Sequence, residues 1–234
     1  VSGRHATVEE GLEKGAIDRV VEPGDPREIA IAMGQEIIAG KLPTRRTGEI
    51  DVTPDDAAIE GALAMMLLTG ARRAARIGAD GASLPPAEQD RSLWDAARLA
   101  EGRAILARAV ARRRPGPFQI KAAIADCQMA DPAPDWPQIA ALYGALLRHE
   151  PTPVVRLNAA VALAEAGDPA RGLAMVEALA ADLADFQPFH AARAALLAMT
   201  GDRAGARAAY ARAIAEAPGP AEAAFLWARL ARLA

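Results

Sequence analysis

The chain has 234 residues, enough for one large or two small domains; 52% are hydrophobic but only 4% aromatic. Much of the apolar content is alanine, the best helix former and too small to fill wide gaps, so closely packed helices are expected and a sheet sandwich is disfavoured. A net charge of -3 gives no electrostatic basis for a nucleic-acid binder, the single Cys127 excludes an internal disulfide framework, and no apolar run approaches the roughly 20 residues that cross a bilayer. No signal-peptide pattern is legible either, and a cytoplasmic location without membrane contact is expected.

Thr7 with Glu10 three residues on is a capping-box pattern, which predicts a short helix ending at Gly15. Ala16–Val21 alternates and is rich in β-branched residues, the pattern of a strand. Asp25-Pro26-Arg27-Glu28 starts a second helix with proline at its first position, expected to end near Gly40. Residues 41–52 carry no periodic apolar pattern and are expected to link.

The stretch SGRHATVEEGLEKGAIDRVVEPGD resembles the crotonase (enoyl-CoA hydratase) fold, and PREIAIAMGQEIIAGKLPTRRTGEIDVTPDDAAI is similar to the same region of multifunctional 3-hydroxyacyl-CoA dehydrogenases. The family's oxyanion-hole glycine loops and catalytic glutamates lie upstream of this stretch, so the resemblance carries no catalytic residue onto any position here. Crotonase chemistry needs two backbone N–H groups aimed at a thioester oxygen, and residues 1–60 supply no such pair.

Thr53-Pro54-Asp55-Asp56 is a third helix start, and Ala58 to Ala75 is expected to be helical with Ile59, Leu63, Met66 and Leu67 on one face. The run GADGASLPP at 78–86 breaks it and leads into Asp90-Arg91-Ser92-Leu93-Trp94-Asp95, at the head of the longest helical segment. Ser92 and Asp95 have capping-box spacing, and Trp94 suits a hydrophobic plug under the preceding loop. Arg112-Arg113-Arg114 is expected to be a solvated helix end.

ALAMMLLTGARRAARIGADG followed by EQDRSLWDAARLAEG resembles the extension beyond region four in one class of extracytoplasmic-function sigma factors of the sigma-70 family. The resemblance continues through RRRPGPFQIKAAIADCQ, DWPQIAALYGALL and PTPVVRLNAAVALAEAGDPARGL to the end, spanning about residues 59–233. Regions two and four, which read DNA in that family, have no counterpart in these residues. The two resemblances join near residues 55–61, the pattern of a fusion, a rearranged frame or a chimera.

Gly167-Asp168 and Gly201-Asp202 recur at 34 residues, the tetratricopeptide period. With Gly201 at the turn, Ala206, Tyr210, Ala213 and Pro218 take the small, aromatic, small and proline offsets. The repeat units are then 119–152, 153–186 and 187–220, with a closing helix near 221–233. Ile139, Leu142, Tyr143 and Leu146 form one apolar face. The expected fold class is mainly α: a tetratricopeptide-like helical solenoid with a small α/β N-terminal segment. Its expected units are a crotonase-like fragment with linker (1–52), a helical connecting region (53–115) and repeats (116–234).

No complete catalytic constellation is legible. His5, His149 and His190 lack metal-ligand spacing, Cys127 is read as mid-helix packing, and Asp126 and Asp131 as carboxylates that lie close together but solvated. No enzyme activity, cofactor, metal or small-molecule substrate is expected. The candidate interaction residues are Asp90, Arg91, Trp94 and Asp95 in the DRSLWD motif and Arg156 and Asn158 on the first helix of the second repeat. The sigma-factor resemblance implies a regulatory, protein-binding role in transcription initiation, with core RNA polymerase or sigma regions as partners and DNA engaged only indirectly. The competing readings are the tail of a β-oxidation enzyme fused to a helical scaffold, and a stand-alone scaffold.

Overall fold

The computed structural model describes residues 26–39 and 57–233, and among these the architecture is mainly helical, with no strand. The helix and strand expected at residues 7–21 lie outside the described residues. The first helix, α1 (Pro26–Ile38), begins at its proline with Glu28 facing the positive helix end.

Helix α2 (Ala57–Gly70) departs from expectation in two ways. It stops at Gly70, five residues short of Ala75. The Ala71 carbonyl accepts from the Asp95 N–H at 2.9 Å, and the Arg76 guanidinium donates to the Thr69 carbonyl at 2.7 Å. Those tertiary bonds take acceptors that a longer helix would use, and residues 73–75 form only a 3₁₀ turn. Its buried face is also shifted from the expected one: Glu60, Leu63, Ala64, Leu67 and Leu68 are all buried, while Ile59 and Met66 are only half-buried. The cause is three-sided packing against α1, α3 (Ala96–Ala111) and α4 (Pro117–Cys127). Gly61 makes one side of this possible, because a Cβ there would lie 2.7 Å from the Gln119 nitrogen on α4.

The resulting core joins Ile31 of α1, Leu63, Leu67 and Leu68 of α2, Ile105 and Leu106 of α3, and Ala122, Ala125 and Met129 at α4. It runs without interruption across residue 115, and it draws in α1 from the first expected unit.

Beyond it the chain forms three successive helix pairs: α4 with α5 (Trp136–Leu146), α6 (Pro153–Glu165) with α7 (Pro169–Glu177), and α8 (Gln187–Met199) with α9 (Arg203–Ala215). Helix α10 (Pro220–Ala231) closes the series. Each helix packs on the next. The second and third pairs turn in the same way: Gly167 (φ 111°) and Gly201 (φ 89°) end one helix in the left-handed region that glycine tolerates. The following Asp168 and Asp202 cap the next helix by accepting from the Arg171 and Gly205 N–H groups at 3.1 and 2.9 Å. The Gly-Asp dipeptide therefore repeats because each residue closes a different helix end. Tyr210, 6% exposed, packs with Ala206, Ala209, Ala213 and Leu226 in the last core.

The irregular stretch 71–95 touches both ends of this series. Gln89, buried, donates to the Leu84 carbonyl at 2.8 Å and accepts from Arg72, whose guanidinium is destabilised by burial and secondarily by Arg76. Further along, the Ser83 N–H donates to the Ala221 carbonyl of α10 at 3.0 Å, and Glu88 forms an ion pair with Arg229. No described helix is long and apolar enough to cross a membrane.

Candidate interaction site

The DRSLWD segment is built from two aspartate caps in series. Asp90 caps the 3₁₀ turn Arg91–Leu93, its Oδ1 accepting from the Ser92 hydroxyl at 2.7 Å and the Ser92 N–H at 2.9 Å. The hydroxyl bond, with the backbone bond behind it, holds the Asp90 carboxyl below the usual range. Asp95 caps α3 by accepting from the Arg98 N–H at 3.0 Å. The capping box expected between Ser92 and Asp95 does not form, since Ser92 lies inside the 3₁₀ turn and its hydroxyl is engaged by Asp90.

Arg91 turns inward. Its guanidinium stacks over Trp94 at 5.2 Å and donates to Asp131 Oδ1 at 2.9 Å and to the Ala130 and Pro132 carbonyls at 2.8 and 3.4 Å. Trp94 packs on the first core with its indole N–H buried and unbonded. Arg103 binds Asp126 at 2.7 Å in the same manner. Asp131 stays solvated as expected, 89% exposed, and Asp126 is partly so, but each is paired with an arginine from the 91–103 stretch, and the bonds of Arg91 clamp the loop between α4 and α5. Leu93, 51% exposed, is the large apolar side chain this motif leaves open.

The other two candidate residues part company. Positions 156 and 158 lie about 200° apart around a helix; both are exposed on α6, but Asn158 alone of the two lines a groove of about 460 Å³. This groove lies where α4 and α6 do not pack closely against each other, with α2 above and α5 below. Its apolar surface includes Met65, Ile124, Leu146 and Val154, the last 40% exposed. Its polar groups include Gln128, Tyr143, Thr152 and Asn158, besides the Lys121–Glu150 ion pair at 2.8 Å. Burial pushes the Tyr143 phenol pKa up, so it stays a neutral donor at physiological pH. Tyr143 belongs to the apolar face expected on α5, whereas Lys121 and Gln128 carry no motif. The signal that finds them is the row Lys121, Ile124, Ala125, Gln128, spaced i, i+3, i+4, i+7 with polar residues at both ends of an otherwise apolar face.

An apolar floor flanked by amides and hydroxyls suits an extended peptide, whose backbone needs both donors and acceptors. Among the described residues no group of three or more His, Cys, Asp or Glu could hold a metal ion. Cys127 ends α4 rather than sitting mid-helix, and burial, then Asp126 and Asp135, raise its thiol pKa. His190 Nε2 bonds the Ala184 carbonyl at 2.8 Å; His5 lies outside the described residues. Arg112 is exposed at the end of α3, as expected, and also forms two bonds to the buried Glu60, at 2.7 and 3.1 Å.

Residues 49–110, which include the whole DRSLWD segment, match a family of unknown function (DUF6596). Over 184 residues, 77% of its length, the chain is 41% identical to an uncharacterized protein of Rhizobium meliloti (strain 1021). The chain spans 44% of that relative's length. No solved structure matches significantly.

Proposed function

We propose that this chain is a protein-interaction extension of a sigma-70 family RNA polymerase sigma factor, a tetratricopeptide-like helical solenoid that regulates transcription initiation by binding polymerase core or sigma regions. DNA is engaged only indirectly, the module has no enzymatic activity of its own, and a small α/β segment stands in front of the solenoid. The observation that carries this reading is the groove: first helices of successive pairs, α4 and α6, converge with α2 on one open, mixed-polarity surface sized for a peptide. Concave faces of stacked helix pairs are common peptide sites. The resemblance of EQDRSLWDAARLAEG to the sigma-factor extension supplies the partner class, and the clamp around Arg91 gives that motif the task of holding the groove's first helix pair in place.

The test is affinity of the full chain for core RNA polymerase and for isolated sigma regions, measured by biolayer interferometry beside Val154→Glu and Asn158→Ala. Both side chains are exposed, so melting temperatures should stay at the parent value while affinity falls tenfold or more, about 1.4 kcal/mol. A parent protein that binds neither partner removes the sigma-factor reading. Binding that ignores both substitutions moves the contact away from the groove.

A further inference from the structure

The corner between α3 and α4 carries a second surface. Arg108 and Arg112 converge on Glu60, whose side chain is only 3% exposed, at 3.5 and 2.7 Å. The next two arginines, Arg113 and Arg114, are exposed and have no side-chain ionic partner among the described residues. Arg113 has φ 52°, a left-handed conformation that non-glycine residues adopt uncommonly and that is inherently strained. Such outliers cluster where a surface is shaped for a ligand.

Beside Arg113, which lines its edge, lies a cavity of about 370 Å³ walled chiefly by Val110, Pro115, Ile120, Ala123 and Leu142; Arg114 follows next in the chain, between two lining residues. Val110 is 59% exposed. Gln119, a polar residue of the wall, is already satisfied: it accepts from the Gly116 N–H at 3.1 Å and donates to the Arg114 carbonyl at 3.4 Å. The interior therefore offers a ligand apolar contact alone, and the rim offers uncompensated positive charge. Nucleic acid fits poorly, since a phosphate backbone has no use for an apolar cavity and the chain's net charge is -3.

We propose that this corner is a docking site for an acidic segment of a partner protein that inserts one bulky apolar side chain into the Val110–Leu142 cavity while its carboxylates pair with Arg113 and Arg114. The site is separate from the groove between α4 and α6. It is tested on the full chain with fluorescein-labelled EELFEE, and with EESSEE and KKLFKK as controls. EELFEE should bind in the micromolar range, and either control at least tenfold more weakly. Arg113→Gly separates binding from folding: glycine relieves the left-handed backbone, so the melting temperature should rise while EELFEE affinity falls. Arg114→Glu and Val110→Glu, both at exposed positions, should weaken the probe at least tenfold without lowering the melting temperature. The proposal is overturned if EELFEE does not bind, if EESSEE binds equally well, or if Arg113→Gly retains parent affinity. Arginine-dependent binding of a single-stranded oligonucleotide in its place, or self-association abolished by Val110→Glu, would also overturn it by assigning the surface to another occupant.

Discussion

The two halves of this molecule hold their helices together by different means. From α1 to the α4–α5 loop the joints are arginines reaching across: Arg98 to Glu28 through two bonds of 2.7 Å, Arg91 to Asp131, Arg103 to Asp126, and Arg112 to Glu60. From α6 to α10 a bridge of this kind joins neighbouring helices, Arg193 to Glu177 at 2.8 Å, but the joints rest mainly on small residues, with Ala160, Ala164, Ala194, Ala206 and Ala213 buried to within 1%. Small side chains let helices approach closely, and a fixed three-residue turn then sets each pair. Where turns are irregular, as in residues 71–95 and 128–135, helices stand in less regular relation and long side chains bridge them. Stability in the regular half resides mainly in packing, which charge screening affects little; a larger part of that in the irregular half is electrostatic and screened.

The sharpest challenge to this contrast is Tyr210→Ala, which removes a buried aromatic from the last core and should cost about 2–4 kcal/mol in urea denaturation. A parent-like midpoint would mean that its leucines and alanines hold that core without the ring. Gly201→Ala comes next: a Cβ in the left-handed turn should cost about 1–2 kcal/mol, whereas Gly144→Ala, mid-α5 with open space around a Cβ, should gain up to about 1 kcal/mol. Equal shifts at both glycines would deny the turn its special role. Arg91→Ala should cost about 1 kcal/mol, discounted because its ion-pair partner Asp131 is 89% exposed, and should speed proteolysis within residues 128–135. An unchanged cleavage rate there would show that the clamp is dispensable.

The smallest effect is in acid. The hydrogen bond from Arg112 lowers the Glu60 pKa below its ordinary 4.5, outweighing the opposing effect of burial. Its contribution is thus fully present above about pH 4.5 and is lost as pH falls through the depressed value. Glu60→Gln should flatten that part of the acid limb of a stability profile, and an acid limb identical to the parent's would exclude Glu60 as a source.

The same contrast explains what was legible in the chain beforehand. The helix start at Pro26 and the Gly-Asp turns depend on neighbours within a few residues, so local chemistry announces them, and the 34-residue period places Tyr210 at its aromatic offset. The early stop of α2 is not announced in this way, because the N–H that claims the Ala71 carbonyl belongs to Asp95, 24 positions away. Arg91 likewise looks like a free surface cation until its acceptors, 39 to 41 residues on, are in place. The groove was half visible: Asn158 stood out by polarity, while the α4 row with Lys121 and Gln128 was hidden within an apolar helix.

The contacts of Ser83 and Glu88 with α10 bear on how the chain unfolds. A row of helix pairs touching only neighbours melts from its ends inward, each terminal pair fraying with little effect on the far end. Here the last helix is fastened to a stretch 141 residues earlier, so fraying at the C-terminus also releases the loop that leads into α3. Closing so long a loop is an entropic barrier to be crossed before the contact forms, which delays that step in folding and couples the two ends once it is complete. Amide exchange should register this as linked protection: Arg229→Ala should accelerate exchange in residues 76–90 as well as in α10.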